Sequence, residues 1–185
     1  MPTLSHTSLR RLGYAIFEAA GLPADQVRIV TDHLVDANLT GHDSHGVIRI
    51  PFYTRDLRSG AIRSVENLKV VRESPASAVI DGDLGMGIVL ARRAMQAAVD
   101  RALKHTFGAV AVHRAGHIGR LGDFPPQAAE RGCIGILILN GGSRFTVPFG
   151  GTAPRLPPNP IAISVPSNDG FPWVLDMTTS VTAGG

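Results

Sequence analysis

The stretch TGHDSHGVIRIPFY, Thr40 to Tyr53, gathers groups able to do chemistry in a chain that is 44% hydrophobic. His42 and His45 stand three apart, Ser44 adjoins His45, and Arg49 follows four residues later. Metal ligation, a nucleophile, a proton relay and a polar helix start are all open to such a set. For a metal, histidines at i and i+3 share one helix turn, with His117 and Asp176 as further donors, but zinc requires a third ligand and a fixed outer shell. A direct Ser44–His45 hydrolase pair is disfavoured, because adjacent side chains on a helix diverge by about 100°. For a relay, a helix opening at Asp43 or Ser44 lets Ser44 cap while His45 points into a cleft. The positive helix end and Arg49 then lower the imidazole pKa, and the Arg49 fork suits a bidentate grip on a carboxylate. A capping serine beside two solvated histidines is equally compatible with these residues.

A second stretch, VHRAGHIGRLGD, follows an apolar run. His117 between Gly116 and Gly119 sits where ligands meet backbone amides in layered α/β folds, or is a polar loop residue. No G-x-G-x-x-G string joins a strand to a helix, and DGDLGMG has the wrong spacing for one, so a Rossmann dinucleotide site is not indicated. That glycine run reads as a flexible turn into the next helix. No P-loop lysine motif is present.

The elements that must position these groups follow from periodicity. Leu9, Leu12, Ile16 and Ala19 mark a first helix, with Ser5 or Thr7 as cap and Gly21 as stop. Val27, Val30, Leu34 and Ala37 mark a second, opened by Pro23. A third is expected from Ser44 to Leu57, kinked or split at Pro51. β-branched runs then predict a hairpin, LKVVRES with SAVIDG. A long helix ends near His105, a buried strand follows at GAVAVH, and a short proline-opened helix at PPQAAERG. CIGILILNGG reads as a second buried strand, PFGGTAPRLPPNP as a long loop, and IAISVPS and WVLDM as two more strands. The expected fold class is α+β: an N-terminal helical segment, 1–62, and a mostly antiparallel or mixed sheet with helices, 63–185.

The 185 residues suit one or two domains with a true core. The net charge of +3 carries no Lys/Arg run, and the pairs Arg10-Arg11 and Arg92-Arg93 lie in helical periodicity, so no nucleic-acid partner is indicated. Cys133 is the only cysteine, which excludes a disulfide framework; inside CIGILIL it reads as a buried small hydrophobe. With no apolar run near 18 residues, no membrane partner is indicated and a cytoplasmic protein is expected. Thr178 to Ala183 read as the start of a helix that does not develop, which suggests a C-terminally truncated chain.

Together GHDSHGVIRIPFY, GHIGRLGDFPPQAAERGCIGI, VPFGGTAPRLPPNPIAISVP and VLDMTTSVTAGG resemble the malate/L-lactate dehydrogenase type of 2-hydroxyacid oxidoreductase. That family also includes sulfolactate, ureidoglycolate and piperideine-2-carboxylate enzymes and is distinct from the Rossmann lactate dehydrogenases. The resemblance implies a non-Rossmann fold binding NAD or NADP, a small 2-oxo or 2-hydroxy acid substrate, a cytosolic homodimer and no metal. It implies Ser44 and His45 as the catalytic pair, with the histidine exchanging a proton at the substrate C2 oxygen, and His117 as a further catalytic group. It implies Arg49, Pro158, Gly184 and Gly185 at the substrate. It places His117, Ile118, Gly119, Arg120, Leu121, Gly141, Asp176, Met177 and Thr178 at the cofactor. Three departures stand out: Pro157-Pro158 where many members have Gly-Thr before Asn-Pro, Pro125-Pro126 where others continue as helix, and the end at Gly185. Two competing readings are a catalytically incomplete fragment or binding module of that family, and a metal-dependent hydrolase built on His42, His45 and His117.

Overall fold

The computed structural model describes residues 3–142 and 144–180. They fall into two compact units, Met1–Arg120 and Leu121–Gly185. Among the described residues no helix is long and apolar enough to cross a membrane.

The first unit begins with α1, His6–Ala19, whose N-cap Ser5 accepts the Ser8 amide at 3.1 Å, satisfying one of the orphan donors of the first turn. α2, Ala24–Leu39, starts directly after Pro23. The two helices are tied by Arg10, whose Nε donates to Asp32 at 3.0 Å and whose Nη2 reaches Asp36, and by Tyr14, which donates to Asp32 at 2.7 Å. The Arg10-Arg11 pair is therefore partly a strut between helices.

The helix expected from Ser44 to Leu57, kinked or split at Pro51, is broken earlier, at Gly46. Asp43–His45 and Val47–Arg49 are separate 3-10 turns, and α3 runs only from Ile50 to Ser59. Gly46 between the turns is extended, which stops the first from propagating. Pro51 sits in the first turn of α3, where its missing amide costs nothing. The Asn38 side chain of α2 accepts the Val47 amide at 2.8 Å and so holds the break open.

β1, Lys69–Glu73, and β2, Ser77–Gly85, form the predicted antiparallel hairpin. α4, Gly87–His105, then crosses over so that β3, Ala109–Ala115, pairs parallel with β2, giving sheet order β1-β2-β3. The core lies where α4 meets α2 and the sheet: Val30, Leu34, Ile80, Ile88, Val89 and Leu90 are all buried. Buried Gln26 is paired in both directions with the Val65 backbone, at 2.8 and 2.9 Å, so its amide costs little to enclose. β3 is not the buried strand its sequence suggests; its residues are half-buried or exposed. The glycine run after β2 is a close-packing device. A side chain at Gly87 would overlap the carbonyls of Gly116 and His117, so this glycine lets the His117 loop lie against the start of α4.

In the second unit a short turn, Leu121–Asp123, leads to α5, Pro126–Ala129, opened by the proline pair. β4 (Gly135–Ile138), β5 (Ile161–Val165) and β6 (Trp173–Met177) form an antiparallel sheet of that order. One face centres on Ala162 and Ser164, both fully buried. The other presents Ile136, Ile138, Trp173, Leu175 and Met177, all exposed among the described residues. β4 therefore alternates and is not buried throughout. Cys133 precedes it at intermediate exposure, with Sγ near the Arg131 carbonyl, and is not a core hydrophobe. Thr178–Ser180 are not helical, and 181–183 lie outside the described residues. Both sheets with their helices match the expected mixed α+β class, with the single parallel pair in the first.

Candidate active site

The split at Gly46 makes the site geometry differ from a helix start. Ser44 and His45 share one 3-10 turn, where neighbouring side chains diverge by about 120°, yet their side chains fold toward each other and Ser44 Oγ lies 2.9 Å from His45 Nδ1. The serine is thus no cap: neither turn nor α3 has a side-chain cap bond. The helix-dipole argument for His45 lapses, since α3 opens five residues later. Arg49 closes the second turn and folds back, its Nε donating to the Ser44 carbonyl at 2.6 Å. Its guanidinium carbon lies 6.0 Å from the Phe52 ring. Among the described residues its two Nη atoms have no hydrogen-bond partner, so the outer edge of the fork is open.

The His117 loop comes to the same place. The His45 and His117 rings stack with centroids 5.6 Å apart and planes 23° from parallel. The Tyr53 hydroxyl from α3 lies 2.7 Å from His117 Nδ1, and the Gly119 amide donates to the same nitrogen at 3.2 Å. Burial among protein atoms pulls the His117 pKa down to about 4, helped by the charges of Arg49, His45 and His33. The ring is densely surrounded yet keeps solvent-exposed area, so solvent moderates that depression. Burial likewise holds the Tyr53 phenol well above its ordinary value, against the opposing pull of Arg49. Behind the loop, buried His33 of α2 accepts the Arg120 amide at its Nε2, 3.0 Å away.

A profile of the family described as malate/L-lactate dehydrogenase matches residues 4–185. The chain belongs to that family. Members similar to it include hydroxycarboxylate dehydrogenase B of Escherichia coli O157:H7, 38% identical over 92% of this chain and 48% of that protein. L-sulfolactate dehydrogenase of Methanocaldococcus jannaschii is 39% identical over 95% of this chain and 51% of its own length. The structure of malate dehydrogenase from Pyrococcus horikoshii superposes with a TM-score of 0.93 at 35% identity, covering 98% of this chain and 52% of that one. The chain thus spans about half the length of the relatives it matches.

Of the residues singled out for this family, the first unit brings Ser44, His45, Arg49 and His117 together. Ile118 is buried, a Cβ added at Gly119 would meet the His33 ring, and the Arg120 amide donates to that ring. In the second unit Leu121 is buried, and Asp176 accepts the Gly122 amide at 2.7 Å. Thr178 donates to the Pro158 carbonyl at 2.9 Å. Gly141 is half-buried and Met177 exposed. Gly184 and Gly185 lie outside the described residues. His42 is exposed with Nδ1 3.3 Å from the Thr40 carbonyl, and among the described residues no group of three His, Cys, Asp or Glu side chains could hold a metal. Sequence reasoning missed Tyr53, His33 and Asn38. Tyr53 stood at the end of the quoted motif, four residues after Arg49, a helical spacing that was available as a signal. His33 carried none beyond being a histidine on the apolar face of α2.

Proposed function

We propose that the chain carries the catalytic pair and substrate clamp of a dehydrogenase interconverting a small 2-hydroxy acid and its 2-oxo acid. The observation carrying this reading is the open edge of Arg49, a half-buried cation anchored through Nε to the backbone of the residue beside His45. Such an edge suits the carboxylate that every substrate of this class bears. Ser44 engages His45 at Nδ1, and the ring is the group proposed to exchange a proton with the C2 hydroxyl. In the oxidising direction the C2–H bond breaks as hydride while His45 takes the hydroxyl proton; in the reducing direction protonated His45 returns it. His117 completes the catalytic group.

A nicotinamide cofactor, NAD or NADP, supplies or accepts the hydride when bound. His117 to Arg120 in the first unit, and Leu121, Gly141 and Asp176 to Thr178 in the second, are the residues proposed to hold it. The fit is supported by a buried carbonyl oxygen of the Asn159 side chain, next in sequence to Pro158 of the Pro158–Thr178 contact, that has no hydrogen-bond partner among the described residues. Pro158, Gly184 and Gly185 remain proposed substrate contacts, and the absence of a hydroxyl at 158 favours acids that need no donor there. A homodimer in the cytoplasm, and a division into a helical segment 1–62 and a cofactor-binding remainder, belong to the same reading. A second reading, a catalytically incomplete portion of such an enzyme, is consistent with the match to about half of each relative's length.

The test is loss of NADH or NADPH absorbance with a panel of dicarboxylic, aromatic and cyclic imino 2-oxo acids, alongside cofactor binding followed by fluorescence. Turnover that disappears in His45→Ala supports the first reading. Cofactor or acid binding without turnover supports the second. No binding and no turnover refutes both.

A further inference from the structure

Two groups, the Tyr53 hydroxyl and the Gly119 amide, converge on one nitrogen of His117, Nδ1. A backbone amide can only donate, so the Gly119 N–H pointing at Nδ1 fixes that nitrogen as unprotonated. The Tyr53 hydroxyl, 2.7 Å from the same nitrogen, then donates too, sharing its single lone pair with the longer Gly119 contact at 3.2 Å. A neutral ring whose Nδ1 accepts carries its proton on Nε2, and among the described residues Nε2 has no hydrogen-bond partner.

We infer that His117 is locked as the neutral Nε2–H tautomer, with Tyr53 as the positioning residue that fixes it, and serves as a hydrogen-bond donor to an oxygen of the 2-oxo acid. The donor role rests on the function proposed above; the tautomer does not. Proton transfer is then left to His45, whose ring stacks on it.

The surroundings enforce the same state. Arg49, His45, Tyr53 and His33, from the 3-10 turns, α3 and α2, are the charged or titratable groups that face the ring, and each of the first two disfavours a second positive charge. Protonating Nδ1 would also place an N–H against the Gly119 N–H. The loop cannot rotate that amide away cheaply, because its next residue is held by His33: Nε2 of His33 accepts the Arg120 amide and therefore carries no proton either. Two backbone amides thus each point at a ring nitrogen of a histidine in this loop's surroundings. Arg49 remains the fixed cation that a substrate carboxylate meets, and a neutral donor suits a carbonyl oxygen without competing for the carboxylate. The burial that holds the Tyr53 phenol protonated keeps it a donor throughout neutral pH.

The experiment is nitrogen NMR of the histidine side chains in the 185-residue chain, with no substrate or activity required. Long-range nitrogen–proton correlations should show His117 with a pyridine-like Nδ1 and a pyrrole-like Nε2, unchanged from pH 8 to pH 5.5. Tyr53→Phe keeps the ring packing and removes one donor; the His117 titration should then move upward and some Nδ1–H tautomer should appear. A pyrrole-like Nδ1 or a doubly protonated His117 in the unmodified chain at pH 7 overturns the inference. So does a tautomer and titration unaltered by Tyr53→Phe, since the lock would not depend on the phenol. If the lock is found but no 2-oxo acid perturbs the Nε2 proton while acids do bind, the donor role falls and the tautomer stands. If no acid binds at all, the proposed function fails and the tautomer still stands.

Discussion

Gly119→Ala separates two reasons for a glycine in the His117 loop. Gly119 has φ of +72°, and a left-handed residue with a Cβ costs about 1–2 kcal/mol. Space adds a second cost. An Ala Cβ would overlap His33 Nε2 and crowd two further ring atoms, and His33 is 3% exposed within α2. The ring must therefore turn off its rotamer, at about 0.5–1.5 kcal/mol. It also abandons the Arg120 amide, and an unmade buried hydrogen bond costs about 1–3 kcal/mol. Together these give about 3–5 kcal/mol, drawing the lower bounds nearer because the loop can shift slightly. Gly21 is the control: its φ is +86°, but an added Cβ meets nothing within 4 Å, so Gly21→Ala should cost about 1–2 kcal/mol. The two variants should differ by about 2–3 kcal/mol, or about 4–12 °C in melting temperature for a domain of this size. Urea denaturation of both, with His33→Ala and the His33→Ala/Gly119→Ala double variant, completes a cycle. Removing the imidazole should leave Gly119→Ala costing no more than Gly21→Ala. Equal costs for Gly119→Ala and Gly21→Ala, or a cycle additive within about 0.5 kcal/mol, would refute the argument that His33 sets the shape of this loop.

Other consequences follow from the same geometry. His117 titrates lower folded, about 4, than an unfolded histidine, about 6.5, so the unfolded chain binds more protons between these values. Its contribution to stability is complete above about pH 6.5 and is lost as pH falls toward 4; His117→Asn should flatten the melting temperature against pH in that window, and an unchanged slope would count against the assignment. Arg49→Lys loses both the Nε bond to Ser44 and the planar fork, so the KM for a 2-oxo acid should rise about 10–100-fold with little loss of fold, if a bidentate pair worth about 1.5–3 kcal/mol is removed; unchanged KM in steady-state assays argues against the clamp. Ile138→Lys on the exposed sheet face should change stability by less than about 0.5 kcal/mol in this chain, because Ile138 is 70% exposed. A loss above 2 kcal/mol on denaturation would show that this face is covered.

How legible these features were depended on whether a residue's neighbours are near in sequence. α1, α2, α4, the hairpin and all three strands of the second sheet follow from periodicity and turn residues, because their partners are local or face one continuous core. The break at Gly46 was not legible, because it is imposed by Asn38 from another helix: a 3.6-residue pattern at Val47, Ile50 and Leu57 looks the same whether or not the first turn is α-helical. The exposure of β4 was hidden by composition. Ile136 and Ile138 read as interior residues, and only the pairing register shows that they share a face with Trp173 and Leu175 and not with Ala162. The catalytic candidates were legible as residue types and as a family motif, but their relations were not. That Ser44 touches His45, and that Tyr53 and Gly119 converge on His117, depends on backbone turns that no spacing rule encodes.

That difference bears on how the site works as an electrostatic unit. Three histidines and an arginine in proximity would repel one another if all were charged, and a fold that merely clustered them would be less stable near pH 6. Here the cost is avoided by assigning lone pairs. Gly119 and Tyr53 occupy Nδ1 of His117, and Arg120 occupies Nε2 of His33, so the two rings face backbone and phenol donors in their neutral forms. His45 is engaged instead by a hydroxyl, which can donate or accept and so tolerates either protonation state. Of the three rings, His45 is the one with a hydroxyl beside it that can reverse its hydrogen bond. The proton exchange proposed for His45 is suited to that reversible partner and does not need a position at a helix end.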